Sequence, residues 1–125
     1  MSANELDKIK FGTDGWRGII GFDFNIINLS KVVVASCQEL YYQYHKETNS
    51  KKILIGYDRR FMANEFAQEI ASFVRGCGLE PVLSITDVPT PACSFYTKQY
   101  MFLGCLVITA SHNPYNWLGL KIKSF

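Results

Sequence analysis

The chain has 125 residues, the size of one domain, and its 48% hydrophobic content is too high for a disordered segment. That length and composition can bury a core without a disulfide or metal staple. Thirteen Lys plus Arg against eleven Asp plus Glu leave a net charge of +2, which argues against a strongly basic nucleic-acid binder.

Taken in chain order, Met1 to Lys10 mixes charges of both signs and lacks the apolar stretch of a secretory leader. Phe11 to Gly18 (FGTDGWRG) is a dense cluster of glycines and charges. Its glycines permit positive φ and close backbone approach, so it reads as a tight turn leading into a strand. It matches neither the G-x-x-x-x-G-K-[ST] phosphate loop nor the G-x-G-x-x-G dinucleotide fingerprint. Asn28 or Ser30 can then cap a helix whose apolar positions are Leu29, Val33, Cys37, Leu40 and Tyr44.

Ile53 to Tyr57 (ILIGY) is a buried strand by its apolar run between charges. Helical spacing returns over 62–76 through Phe66, Ile70, Phe73 and Val74, with Gly76 and Gly78 as the stop. Val82 to Ile85 reads as a strand, and Thr90-Pro91 as a cap and first helical residue of a helix running to about Met101. Leu103 to Thr109 is a third apolar strand. Leu118, Leu120 and Ile122 then alternate with Gly119, Lys121 and Lys123, the mark of a half-exposed strand, expected at an exposed sheet edge.

The expected order is helix, strand, helix, strand, helix, strand, loop, strand. It predicts a three-layer α/β/α domain around a mixed, mostly parallel sheet. No apolar run approaches the length of a membrane span. Cys37, Cys77, Cys93 and Cys105 form no CxxC and sit in apolar stretches, so they read as buried, reduced thiols of a cytoplasmic protein.

In such a sheet, ligands bind beyond the carboxyl ends of the parallel strands. Three loops qualify: Asp58-Arg59-Arg60, Thr86 to Thr90, and Ala110 to Pro114 (ASHNP). No Asp or Glu occurs from Val88 to Phe125, while Lys98, His112, Lys121 and Lys123 do. That balance suits an anion. It is equally compatible with a buried strand–loop–strand that has little room for acids. Ser111 reads as a nucleophile or as turn chemistry. His112 follows it directly and is poorly placed to activate it, and G-x-S-x-G is absent, so a serine hydrolase is disfavoured. Asp58 and Arg59 read as orienting the serine loop from the neighbouring strand end, or as an ion pair at the sheet edge.

Four segments in order, FGTDGWRG (Phe11–Gly18), GYDRR (Gly56–Arg60), Pro89-Thr90-Pro91 and TASHNP (Thr109–Pro114) running on to Gly119 and Lys121, resemble the first domain of the α-D-phosphohexomutases. The serine segment is the most specific of them. The resemblance implies a phosphoserine at Ser111 that exchanges its phosphoryl group with sugar monophosphates through a bisphosphorylated sugar. It implies charge stabilisation and a share of proton transfer for Arg17 and Lys121. It also implies loop shaping and phosphate or sugar contacts for His112, Asn113 and Thr109.

The implied cofactors are Mg2+, held in part through the Ser111 phosphate, and a hexose 1,6-bisphosphate activator. The metal-binding acids, the sugar-selecting segment and the phosphate clamp of such enzymes have no counterpart in the 125 residues. The expectation is therefore domain I, residues 1–125, of a longer four-domain enzyme, inactive by itself and partnered by sugar phosphates and its own remaining domains. Neither nucleic acid nor membrane is an expected partner. Leu118 departs from the family, whose members often carry Asn there, and Trp16 argues mildly against a phosphoglucosamine mutase. A non-catalytic module binding sugar phosphates or a protein, and a purely structural domain, are the readings from other classes.

Overall fold

Apolar runs flanked by charges build the centre of the sheet, and amphipathic segments cover it. The computed structural model describes residues 15–109, 114 and 116–125. Strands β1 (Gly15–Ile19), β2 (Lys52–Tyr57), β3 (Glu80–Leu83), β4 (Gly104–Ile108) and β5 (Trp117–Ser124) form one sheet in the order β1-β5-β4-β2-β3. β4, β2 and β3 pair in parallel, whereas β5 pairs antiparallel with both β4 and β1. The sheet is mixed, as expected from the sequence.

Helices α1 (Ile26–Thr48), α2 (Ala63–Gly76) and α3 (Thr90–Gln99) complete three layers. α1 and α2 pack on one face, where Leu29, Val33, Phe66 and Ile70 join Ile53, Ile55, Leu106, Ile108, Leu118 and Leu120 in the main core. α3 covers the other face, where Cys93 meets Leu54, Cys105 and Val107. The alternation of strand side chains between faces explains the division: odd positions of β2 face one layer and Leu54 the other. Trp16 stacks on Phe24 at 4.6 Å between ring centroids, and Phe24 meets Phe66 edge-on at 5.1 Å. These rings tie β1 to α2. No helix among the described residues is long and apolar enough to cross a membrane.

The structure corrects several expectations. The strand into which the glycine cluster is expected to lead is β1, which takes in the cluster's own second half and precedes the first helix, where the expected element order has no strand. Its sequence, GWRGI, carries two glycines and a charge and so hides the strand pattern. The cap of α1 is Asn25, whose side chain accepts from the Asn28 amide. Asn28 and Ser30 lie inside the helix and donate to Asp23 O and Ile27 O instead. The exposed Ile26 and Ile27 of the first turn break the apolar periodicity that would have placed the start correctly.

β3 begins at Glu80, two residues before the expected Val82, because an edge strand tolerates Pro81. Pro89 occupies the cap of α3, and Thr90 is already helical with no side-chain capping bond. β5 is not an edge: it lies between β1 and β4, and the edges are β1 and β3. Cys77 is half-buried, while the other three cysteines are buried, and all four are free thiols. Burial, and then the neighbouring Cys77, pushes the Cys37 thiol up to about 12. Burial followed by Cys105 takes Cys93 to about 11, and burial also raises Cys105. Such thiols are inert packing groups.

Candidate functional site

The carboxyl ends of β2, β3 and β4 share one edge of the sheet because the three strands are parallel. Backbone bonds tie the segments leaving them together. The Asp58 amide donates to Ile108 O at 3.1 Å, and the Val88 amide to Tyr57 O at 2.9 Å. The connection between β4 and β5 starts at Thr109, which is buried and whose amide donates to Gly119 O at 2.9 Å. It closes through the Trp117 amide on Pro114 O at 3.0 Å and the Ile20 amide on Asn116 O at 2.8 Å. Ser111, His112 and Asn113 fall outside the described residues.

Register sets the cations. Arg17 lies opposite Gly119, and Lys121 lies opposite both Gly15 and Val107. Opposite residues share a face, so Arg17, Gly119 and Lys121 are on the α3 side of the sheet, away from Leu118 and Leu120 in the main core. Arg17 and Lys121 are diagonal neighbours across the antiparallel pair, which is within reach of long side chains. Arg17 is exposed and Lys121 half-buried.

Gly119 is what lets this face come together. A Cβ there would stand 2.7 Å from Trp16 O, 2.8 Å from Arg17 Cγ and 2.9 Å from Thr109 O. The stem of Arg17 therefore lies over bare backbone, beside the strand end that leads to Ser111. Leu118, where the family often has Asn, is fully buried and paired with Gly18 in the strand.

In the GYDRR segment Arg59 follows the second of its two readings, an ion pair at the sheet edge, and not the orienting of the serine loop. Arg59 turns away and pairs with Asp87, Nε to Oδ2 at 3.0 Å. Arg60 reaches the serine segment instead, donating from Nη1 to Pro114 O at 2.9 Å. Asp58 accepts from the Arg60 amide at 2.9 Å, and its other oxygen lies 3.9 Å from Arg60 Nε. Asp-x-Arg at a strand end is the signal that could have found this, since Asp commonly bonds the amide two residues on. Thr90, the cap expected in the third segment, makes no capping bond.

The model of phosphoglucomutase/phosphomannomutase, alpha/beta/alpha domain I, matches residues 8–124. The chain belongs to this family. Among its relatives is a phosphoglucosamine mutase of Finegoldia magna, 35% identical over 91% of this chain and 24% of that protein. A phosphoglucomutase of Staphylococcus saprophyticus is 32% identical over 91% of this chain and 20% of its own length. The chain therefore spans about a quarter or less of the length of these mutases. In three dimensions it is similar to a Thermus thermophilus protein described as a candidate phosphomannomutase. The TM-score is 0.75 at 36% identity, over 93% of this chain and 25% of that one. A Burkholderia thailandensis member at 23% identity, matched over 88% of this chain and 24% of its own, shares the fold with a TM-score of 0.70. Relatives named for different hexose phosphates match at similar identity, so identity does not choose between substrates.

Proposed function

We propose that this phosphohexomutase domain carries the phosphoryl-bearing serine, Ser111, of a cytoplasmic enzyme that interconverts hexose 1-phosphates and 6-phosphates. Residues 1–125 make up its first domain, and further domains of the same protein complete the site. The observation that supports the reading best is the pairing of β1 with β5. It sets Arg17 and Lys121 on one face around Gly119, beside the Thr109 end of the TASHNP segment.

In this reading the Ser111 phosphate passes to the free hydroxyl of a hexose monophosphate. The P–O bond to serine breaks, the bond to the sugar oxygen forms, and the proton of the sugar hydroxyl ends on the freed Ser111 oxygen, which leaves as the serine hydroxyl. The resulting hexose 1,6-bisphosphate reorients and returns its other phosphoryl group to Ser111. Phosphoryl transfer needs positioning and charge neutralisation above all. Arg17 and Lys121 supply positive charge for the transferring oxygens and share the proton transfer. Thr109, His112 and Asn113 shape the loop and contact phosphate or sugar hydroxyls.

Mg2+ is the ion such chemistry uses, to neutralise phosphate charge. Among the described residues no three His, Cys, Asp or Glu side chains converge on a metal site. The described residues thus do not make up a complete Mg2+ site. In this reading the Ser111 phosphate contributes one ligand and acids outside this chain the others. The 125-residue chain alone is then expected not to turn over hexose 1-phosphate. Robust turnover by the isolated chain, assayed with Mg2+ and a bisphosphate activator, would refute that.

The decisive measurement is intact mass of the protein as its gene encodes it, after incubation with glucose 1,6-bisphosphate. The expected result is one added phosphate in the wild type and none in Ser111→Ala, whose mutase activity falls at least about a thousandfold. Normal activity in Ser111→Ala would overturn the assignment.

A further inference from the structure

We infer that Arg60, held by Asp58, is a positioning residue that braces the downstream end of the β4–β5 connection, an inference that rests on the mutase reading for its functional consequence. The connection contains Ser111 in sequence, and its two ends are fixed by separate contacts. At the upstream end, Ile108 O accepts the Asp58 amide and the Thr109 amide donates to Gly119 O. At the downstream end, Pro114 O accepts both the Trp117 amide at 3.0 Å and Arg60 Nη1 at 2.9 Å.

Arg60 is suited to span this gap. Its side chain is only 17% exposed despite lying at a loop. Asp58 accepts from the Arg60 amide and stands 3.9 Å from its Nε, so one carboxylate engages both the backbone and the guanidinium. The same Asp58 residue bonds β4 through its own amide. One short segment thus links the strand before the serine to the carbonyl after it. A planar guanidinium can meet an acid on one edge and a carbonyl on another, which a lysine ammonium cannot do with the same geometry. Arg59, its sequence neighbour, pairs with Asp87 instead and serves as the internal control.

The test uses Arg60→Ala, Arg60→Lys, Asp58→Asn and Arg59→Ala in the protein as its gene encodes it. Two quantities are followed: amide hydrogen exchange, and steady-state kinetics with a hexose monophosphate. In Arg60→Ala the Trp117 amide should exchange about tenfold faster or more, with the amides of β2 unchanged. The kcat should fall about ten- to a hundredfold while KM stays within about twofold, because a loosened serine segment costs geometry in the transition state. Arg60→Lys should recover part of both effects, Asp58→Asn should lose less than Arg60→Ala, and Arg59→Ala should resemble wild type. Unchanged Trp117 exchange in Arg60→Ala, equal acceleration across the whole sheet, or an Arg59→Ala defect as large would each overturn the inference. If the wild type shows no mutase activity, the mutase reading fails while the exchange measurement still decides whether Arg60 braces the loop.

Discussion

The two halves of the sheet do different work. The parallel half, β3-β2-β4, has apolar side chains on both faces of its inner strands: β4 is buried along its whole length and β2 from its second residue on. The antiparallel half, β5-β1, packs into the main core on one face only, and on the other it presents Arg17, Gly119 and Lys121, with the half-buried pair Ile19 and Trp117 at one end. The first half is scaffold in the sense that its side chains are consumed by packing. The second trades packing for charge and bare backbone, and glycine is the residue that permits the trade. A protein can thus keep its cations at fixed spacing without burying them, by mounting them on a strand whose reverse side is core.

That contrast predicts where substitutions act. The largest stability effect belongs to the parallel half: Leu106→Ala should cost about 2–5 kcal/mol in urea unfolding. The same change should leave the midpoint of any surviving activity's dependence on substrate little altered. In the other half, Arg17→Ala and Lys121→Ala should each lower mutase activity about a hundred- to a thousandfold. Their stability should stay within about 1 kcal/mol of wild type by the same unfolding measurement. An Arg17→Ala protein destabilised as much as Leu106→Ala would break the division.

Gly119→Ala tests the seam between the halves. Its methyl group would meet Arg17 Cγ and two backbone carbonyls, at 2.7 to 2.9 Å. It should cost about 1–3 kcal/mol in thermal or urea unfolding and lower activity as well, so it is expected to show both defects at once.

The smallest effect concerns the thiols beneath the two layers. Cys37 and Cys93 keep their protons in the folded protein to about 12 and about 11, against 9.0 for the ordinary thiol. The unfolded chain loses those protons first, so their contribution to stability is intact below the ordinary thiol value and declines as pH rises above it. The slope is at most about 1.4 kcal/mol per pH unit for each thiol. Urea unfolding on either side of that value, at about pH 8 and about pH 10, should show the decline, and Cys37→Ala should flatten it. A Cys37→Ala protein with the wild-type decline would remove that thiol as a cause.

Much of this division is written in the chain, but unevenly. The apolar runs of β2 and β4 announce buried parallel strands, and the alternation at Leu118, Leu120 and Ile122 announces a strand with two unlike faces. The extent of β1 is hard to read because Gly15 leaves no room for a Cβ against the Leu120 carbonyl and Gly18 none against Asp23, while Arg17 adds a charge, so packing and not strand propensity sets its residues. The place of β5 inside the sheet was also illegible, since local pattern shows that one face is exposed but says nothing of which strand lies alongside. Arg17 and Lys121 are singled out in the sequence only by family resemblance; spacing alone cannot bring residues so far apart into register. The sequence does not separate Arg60 from Arg59, because adjacent arginines differ only in what they reach, which is a property of the folded loop.

The position of β5 also has a consequence in time. β1 is among the first described segments to be synthesised and is paired in the sheet only with β5, the last of the described strands to be made. Until the ribosome has released Trp117 to Ser124, the first strand has no partner to zip onto, whereas β2, β3 and β4 can already associate. Pairing of such large sequence separation is slow and comes late. Arg17 on β1 and Lys121 on β5 therefore come side by side only after both strands have been made, and a shorter nascent chain does not hold the two cations together.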